Sequence, residues 1–173
     1  MISGLYIVIP AKNEQKNIYK VIKKFKKYGK IIVINDNSND LTKKISERSA
    51  FKVINNKRTI GYDFSIRKGI NAVLKFKNSK YILTVDADNE HPILNFKKII
   101  KYMQIYDLII FNRKKLSRIS EYIVDYFSRK LFSIKDPLSG MKLYKTTIIK
   151  KKKKNFVFLI FFFVIFFFNF YYK

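Results

Sequence analysis

Short, nearly uninterrupted apolar segments recur through the first 111 residues and constrain the fold of this chain more than any other feature. They lie at 5–9, 31–34, 51–54, 81–85 and 107–111, and a further short segment lies around 141–144. Between them, apolar residues recur at helical spacing, as at Ile18, Val21, Ile22 and Phe25. Near-continuous apolar strands are typical of parallel sheets that are covered on both faces. We therefore predict an α/β fold, with a mostly parallel sheet and helices on both faces.

The apolar segment at 81–85 is followed by three acidic residues, Asp86, Asp88 and Glu90. In an open α/β sheet, the carboxyl ends of the strands form the edge where ligands bind. Asp86 and Asp88 converge if the chain turns off the strand there, and Glu90 adds a third oxygen donor. Such hard oxygen ligands suit Mg²⁺ or Mn²⁺, which typically bridges a few carboxylates to a diphosphate. A solvated acidic turn is the alternative interpretation.

Composition narrows the choice of partner only slightly. The 173 residues include 37 basic and 12 acidic side chains, for a net charge of +25. This charge favours nucleic acid, an anionic lipid headgroup or nucleotide-sugar phosphates, although an AT-rich genome also produces Lys-rich sequences. The absence of Cys excludes disulfides and thiolate metal sites. The segment at 5–9 is too short for a secretory signal, so we expect the catalytic part to be cytoplasmic.

The composition changes abruptly after Ile149. An unbroken lysine run, Lys150–Lys154, precedes a Phe-dominated segment that extends to Tyr172. We therefore predict one domain over 1–149 and a separate tail over 150–173. The tail is near the lower limit of the roughly 17–25 apolar residues that span a membrane, and its flanking Lys and Tyr residues fit a carboxyl-terminal anchor. An out-of-frame or truncated tail is the alternative.

Four segments occur in an order and spacing that resemble a known family. They are VIPAKNE at 8–14, VINDNSNDLT at 33–42, DADNEHP at 86–92 and DPLSGMK at 136–142. Over about 4–149 the chain is similar to family 2 glycosyltransferases, and most of all to dolichyl- or polyprenyl-phosphate sugar synthases. The resemblance implies the GT-A fold and inverting transfer of a sugar from a nucleoside-diphosphate sugar. The implied acceptor is a polyprenyl phosphate or a cell-envelope glycan precursor.

The resemblance also assigns residues to the nucleotide-sugar site. The implied set is Pro10, Ala11, Asn13, Glu14, Asp36, Arg67 and Asp86. Asp36 is expected to hold the base, although the family often has two acids here and this chain has Asn35 before Asp36. Helix capping is the alternative for Asn13 and Glu14, an Asx turn for Asp36, and a solvated helix face for Arg67.

A second implied set carries the chemistry. Asp86, Asp88 and Glu90 are the expected ligands of Mg²⁺ or Mn²⁺, and the ion offsets the charge of the diphosphate as it leaves. Asp88 is also placed among the catalytic residues, together with Arg113 as a phosphate contact and Asp136. If the acceptor is a hydroxyl, Asp136 is the one candidate for the base that takes its proton. A turn before the last strand is the alternative role of Asp136.

Two rival functions remain at this point. One is a truncated nucleotide-sugar-binding remnant without turnover. The other is a basic nucleic-acid-binding protein, but no nucleic-acid-binding motif is recognisable and the aromatic residues concentrate in the tail. We therefore expect a nucleoside-diphosphate sugar as donor, a polyprenyl-phosphate or glycan acceptor, a membrane surface as partner and no nucleic acid. The expected location is the cytoplasmic side of the membrane.

Overall fold

The computed structural model describes residues 1–91, 96–113 and 118–151, and within them six strands form one sheet. In chain order the elements are β1 (Leu5–Ala11), α1 (Ile18–Phe25), β2 (Lys30–Asn35), α2 (Thr42–Ser49), β3 (Lys52–Asn55), α3 (Tyr62–Leu74), β4 (Tyr81–Thr84), α4 (Phe96–Ile105), β5 (Leu108–Ile110), α5 (Ile119–Phe132), β6 (Lys142–Lys145) and α6 (Thr146–Lys151).

The strands lie in the order β3-β2-β1-β4-β6-β5. β1 pairs in parallel with β2 and β4, and β2 pairs in parallel with β3. β6 runs antiparallel to both of its neighbours, β4 and β5. The prediction of a mostly parallel sheet is therefore confirmed. The direction of β6 was not predicted, because an apolar segment of four residues carries no signal of its direction.

The side chains of β1 alternate between two apolar cores, one on each face of the sheet. Leu5, Ile7 and Ile9 are buried with side chains of α1 and α4 in one core. Tyr6 and Val8 are buried with side chains of α3 and α6 in the other. The prediction of helices on both faces is confirmed.

Helix α3 lies very close to the sheet because Gly69 has no side chain. A Cβ atom at Gly69 would lie 2.3 Å from Cγ1 of Val8, well inside van der Waals contact. This approach fixes α3 against β1, and the first turn of α3 then lies beside the carboxyl ends of β1 and β4.

Pro10 lies inside β1, which extends two residues beyond the apolar segment at 5–9 from which the strand was predicted. Its lack of an N–H is tolerated because of its position in the sheet. The carbonyl of Val8 accepts from Val85 on the β4 side, and the carbonyl of Ala11 accepts from Asp36 on the β2 side. Backbone N–H and C=O groups alternate sides along a strand, so the nitrogen of Pro10 points to the β4 side. There β4 has already ended at Thr84. No ladder hydrogen bond is lost there.

Helix α1 begins later than the sequence predicted. Asn13 and Glu14 do not cap it, because the cap position is Asn17, whose side chain makes no capping hydrogen bond. The carbonyl of Glu14 instead accepts from Asn17 and Ile18. The chain therefore makes a turn between β1 and α1, and Asn13 and Glu14 stay in the loop at the carboxyl edge. The short helix α6 was not predicted.

Two predictions concern residues outside those described. Pro is favoured in the first turn of a helix, so the sequence predicts a helix start at Pro92, which lies outside the described residues. The tail beyond residue 151 also lies outside them, so the division into 1–149 and 150–173 stays a prediction. Among the helices of the described ranges, none combines the length and the apolar character needed to cross a bilayer.

Candidate functional site

A cleft of about 380 Å³ lies at the carboxyl ends of β1, β2 and β4, beside the first turn of α3. Six of the residues predicted to form the site line it, namely Pro10, Ala11, Glu14, Asp36, Asp86 and Asp88. Lys12, Thr59, Gly61, Tyr62, Ser65 and Ala87 complete the lining. Residues from separate strands thus meet where parallel strands end, as expected for a ligand site in this type of sheet.

Asp36 organises the side of the cleft that follows β2. Its Oδ1 accepts hydrogen bonds from the backbone N–H of Ile60 at 2.9 Å and from Nδ2 of Asn56 at 2.8 Å. Its Oδ2 accepts from the N–H of Gly61 at 2.9 Å. Burial opposes its ionisation, but these hydrogen bonds outweigh burial and hold the pKa of the Asp36 carboxyl below its usual value. Asp36 therefore fixes the loop before α3 as well as facing the cleft.

Asp86 is held from two sides at the end of β4. Its Oδ1 accepts from the hydroxyl of Tyr62 at 2.5 Å, and its Oδ2 lies 2.9 Å from Nε2 of His91. Burial raises the pKa of the Asp86 carboxyl, but the contacts with His91 and Tyr62 outweigh burial and lower it overall. His91, the one histidine of the sequence, therefore orients this acidic loop through its contact with Asp86.

The loop that carries Asp86 and Asp88 is packed closely against neighbouring elements. A Cβ atom at Gly140 would lie 2.1 Å from Oδ2 of Asp86, so any larger residue there would displace the Asp86 carboxylate. From the opposite side, Nζ of Lys24 on α1 donates to the carbonyl of His91 at 2.7 Å. The position of Asp86 is therefore set by the β6 side of the fold and by α1 together.

Asp88 is exposed, and its Oδ1 accepts from the N–H of Glu90 at 2.9 Å. Glu90 is exposed and does not line the cleft. Among the described residues, no three acidic or histidine side chains are grouped closely enough to hold a metal ion. The expected set of three carboxylates is thus not assembled. Mg²⁺ usually binds through one or two carboxylates plus phosphate oxygens, so Asp86 and Asp88 fit an ion that binds together with a diphosphate.

Asn13 and Asn35 hold the loops around the cleft. Asn13 has a left-handed backbone (φ 56°), and its Oδ1 accepts from the N–H of Asn39 at 2.9 Å. Asn35 donates to Oδ1 of Asn55 at 2.9 Å, which ties β2 to β3. Neither side chain lines the cleft. Asn35, at the position where the family resemblance implies an acid, is thus engaged in a structural hydrogen bond.

Arg113 and Asp136 bind each other. The Arg113 guanidinium donates from Nη2 to Oδ1 of Asp136 at 2.9 Å and from Nε to Oδ2 at 3.1 Å, and its backbone N–H also donates to Oδ2 at 2.8 Å. Glu121 adds a second ion pair to Nη2 at 3.2 Å. Hydrogen bonding to Asp136 outweighs burial and raises the pKa of Arg113 further. Asp136 is buried, and neither residue lines the cleft, so their predicted catalytic roles stay predictions.

Arg67 lies away from the cleft. It is on the outer face of α3, where its guanidinium carbon is 5.6 Å from the centre of the Phe64 ring. On the same helix, Tyr62 and Ser65 face the cleft. The structure therefore does not bring Arg67 together with the other predicted nucleotide-binding residues.

Sequence reasoning did not assign Lys12, Thr59, Gly61, Tyr62, Ser65 and Ala87 of the cleft lining, nor Asn56 and Lys142 beside it. Asn56 and Tyr62 come from a loop and a first helical turn, and no pattern marks them. Burial lowers the pKa of Lys142, and the nearby carboxylates of Asp136, Asp63 and Asp86 oppose that shift. Strand alternation places Lys142 on the same face as the buried Tyr144, which is the signal that could have found it.

Several solved structures have the same architecture as this chain. The chain aligns with glucosyl-3-phosphoglycerate synthase of Mycobacterium tuberculosis in complex with Mn²⁺, uridine diphosphate and glucosyl-3-phosphoglycerate. The TM-score is 0.67 and the identity 18%, over 86% of this chain and 58% of that one. TarS of S. aureus aligns with a TM-score of 0.60 and 18% identity, over 86% of this chain and 49% of that one. These similarities establish the GT-A fold, and the chain spans less than two thirds of either structure.

Sequence relatives and a family match complete the comparison. Two uncharacterised proteins of Methanocaldococcus jannaschii are 28% and 33% identical to this chain. The first alignment covers 83% of this chain and 72% of that protein, and the second covers 63% and 46%. Residues 6–173 match glycosyl transferase family 2. The chain therefore belongs to glycosyl transferase family 2, as its sequence motifs predicted.

Proposed function

We propose that this protein transfers a sugar, with inversion, from a nucleoside-diphosphate sugar to a polyprenyl phosphate. The observation that carries the proposal is the convergence of Asp36, Asp86 and Asp88 on one cleft at the carboxyl edge of a GT-A sheet. The volume of about 380 Å³ is within the range of small-molecule sites. A glycan precursor is the alternative acceptor.

In this proposal the donor lies along the cleft from β2 to β4. The base occupies the side of Asp36 and Ser65, and the diphosphate lies toward Asp86, Asp88 and Lys12. Uridine diphosphate is the first nucleotide to test, since the solved glucosyl-3-phosphoglycerate synthase complexes contain it.

Asp86 and Asp88 would hold Mg²⁺ or Mn²⁺ against the diphosphate. When bound, the ion supplies positive charge that stabilises the departing nucleoside diphosphate. Tyr62 and His91 position the Asp86 carboxylate and lower its pKa, which favours its ionised form. Asp88 is exposed at the mouth of the cleft and accessible to an ion that arrives with the donor.

We place a phosphate acceptor on the side of the site that contains Arg113 and Asp136. A hydroxyl acceptor requires a general base, but the Asp136 carboxylate is buried and bound by Arg113. A polyprenyl phosphate needs no such base, because its oxygen is already ionised near neutral pH. The proposed contact of Arg113 with this phosphate rests on the family resemblance.

Helix α5 supports an acceptor at a membrane surface. One face of the helix leaves Ile119, Ile123 and Tyr126 exposed at 83%, 37% and 60%. Lys130 lies on the same face, and Arg118 directly precedes the helix. Apolar and aromatic residues with flanking cations are typical of helices that lie in a membrane interface. Location at the cytoplasmic side of the membrane is part of this proposal.

The test is a transfer assay with the full chain, Mn²⁺ and radiolabelled UDP- and GDP-sugars. Polyprenyl phosphate in detergent, 3-phosphoglycerate and a neutral glycan serve as parallel acceptors. We expect label in the lipid fraction from one donor. Transfer to 3-phosphoglycerate or to the glycan alone would contradict the lipid acceptor, and nucleotide binding without any transfer would indicate a non-catalytic protein.

A further inference from the structure

A second groove, of about 750 Å³, lies between α3 and the edge strand β3. It shares no lining residue with the nucleotide cleft. Its volume is in the range of small-molecule sites.

The sequence builds this groove through two regular periodicities. On α3, Phe64, Arg67, Lys68 and Asn71 recur at intervals of three and four residues and therefore share one face. On β3, Lys52 and Ile54 are two residues apart and point to the same side of the strand.

The lining of the groove is strongly cationic. Four of its residues are basic, Lys52, Arg67, Lys68 and Lys75, and none is acidic. Such a concave, one-sign surface concentrates anions. Arginine and lysine bind phosphate oxygens through charge-assisted hydrogen bonds, so the charge pattern favours a phosphate-bearing ligand.

Two aromatic rings and an apolar floor indicate that the ligand also has an aromatic or apolar part. Phe64 is 54% exposed at the rim. Phe76 is fixed by stacking on Tyr6, with ring centroids 5.0 Å apart. Ile54, Ile60 and Ala72 supply further apolar surface. Inorganic phosphate alone would leave this surface unused.

We propose that this groove is a second ligand site, which binds a soluble organic phosphate with an aromatic or apolar part. The basic side chains take the phosphate, and the rings and floor contact the remainder. The proposal does not rest on the sugar-transfer proposal, since the two sites share no lining residue.

The groove adjoins the nucleotide cleft through one side chain. Nζ of Lys68 donates to Oδ1 of Asn56 at 2.6 Å, and Asn56 in turn donates to Asp36. Substitution of Lys68 would therefore disturb both sites. Lys52 and Lys75 are exposed and lie at a distance from this chain of hydrogen bonds, so they are the better positions for a test.

The experiment measures the fluorescence anisotropy of 1-naphthyl phosphate during titration with the full chain, which contains no Trp. The groove variant is Lys52→Gln with Lys75→Gln. A charge-matched control is Lys20→Gln with Lys23→Gln, which changes exposed lysines of α1 on the opposite face of the sheet. Lys12→Gln reports binding in the nucleotide cleft.

We expect saturable binding that falls about tenfold or more in the groove variant and is unchanged in the other two, because charge-assisted contacts are lost only there. 1-Naphthol and inorganic phosphate should each bind more weakly than the combined probe. Equal loss in the control pair, or loss only in Lys12→Gln, would overturn the proposal. Binding of phosphatidylglycerol vesicles through Lys52 and Lys75, without binding of the soluble probe, would overturn it in favour of a lipid surface.

Discussion

The two halves of the carboxyl edge hold their acidic side chains in different ways. On the donor side, Asp36 and Asp86 are held by uncharged backbone N–H groups, an amide and a phenol, with one contact from His91. On the side of β5 and α5, Asp136 is paired with Arg113, and Asp125 with Arg129 at 2.7 Å.

This difference distinguishes carboxylates whose charge is available to a ligand from carboxylates whose charge is neutralised by an arginine of the protein. Neutral donors fix a carboxylate without cancelling its charge, so the donor side can still attract a divalent ion. An arginine partner compensates the carboxylate within the protein. The sequence resemblance assigned catalysis to both halves, whereas the geometry favours a ligand role mainly for the first.

The largest expected effect comes from removing Asp136. Asp136→Ala leaves Arg113 without its main partner in a mostly buried setting, so the free energy of unfolding should fall by about 3 kcal/mol. Urea denaturation of the full chain measures this fall. Glu121→Ala removes only the longer contacts of Arg113 and should cost about 1 kcal/mol. Unchanged stability of Asp136→Ala, together with loss of sugar transfer, would instead assign Asp136 a catalytic role.

A somewhat smaller effect is expected at Gly140. In Gly140→Ala the new Cβ displaces the Asp86 carboxylate, which should cost about 2 kcal/mol of stability and also weaken nucleotide binding. Gly29→Ala is a matched control, because its Cβ meets the carbonyl of Leu5 at 2.6 Å in a place remote from the cleft. Calorimetry should show weaker binding of uridine diphosphate for the first variant only. Equal binding by both would separate Asp86 from the donor site.

Tyr62→Phe tests the hydrogen bond that the uncharged Tyr62 hydroxyl donates to Asp86. It removes one hydrogen bond, worth about 1 kcal/mol, and should weaken Mn²⁺-dependent nucleotide binding by roughly fivefold. Tyr19→Phe on the exposed surface of α1 should change nothing. If Tyr62→Phe binds as the wild type does, the Tyr62 contact contributes only to the fold.

The smallest expected effect concerns pH. The pKa of Asp36 is lower in the folded protein than the usual 3.8. Its stabilising contribution is therefore complete above that value and is lost as pH falls through the folded pKa. Asp36→Asn should make the acid side of the stability curve shallower, by about 1 kcal/mol or less between pH 5 and pH 2. Asp107→Asn, at an exposed side chain, is the control, and parallel curves for wild type and Asp36→Asn would contradict the expectation.

Much of the donor side could be predicted from the sequence, because strand ends in a parallel sheet meet by topology. Asp86 directly follows an apolar segment, and Asp36 follows another after the single residue Asn35. Their position at the carboxyl edge could therefore be predicted without knowledge of side-chain contacts. Arg67 does not line the cleft, because sequence proximity does not specify which face of α3 a residue occupies. Arg113 and Asp136 are 23 positions apart in the sequence. Arg113 follows β5 and Asp136 precedes β6, and they meet because β6 runs antiparallel to β5, a direction that the sequence did not reveal.

The most direct test of the donor site is calorimetric binding of uridine and guanosine diphosphates to the full chain, with and without Mn²⁺. Wild type, Asp88→Asn and the charge-matched Glu90→Gln are compared, since Asp88 lines the cleft and Glu90 does not. We predict Mn²⁺-dependent binding of one nucleotide, lost in Asp88→Asn and kept in Glu90→Gln. Wild-type affinity in Asp88→Asn, or binding indifferent to Mn²⁺, would contradict this assignment of the site.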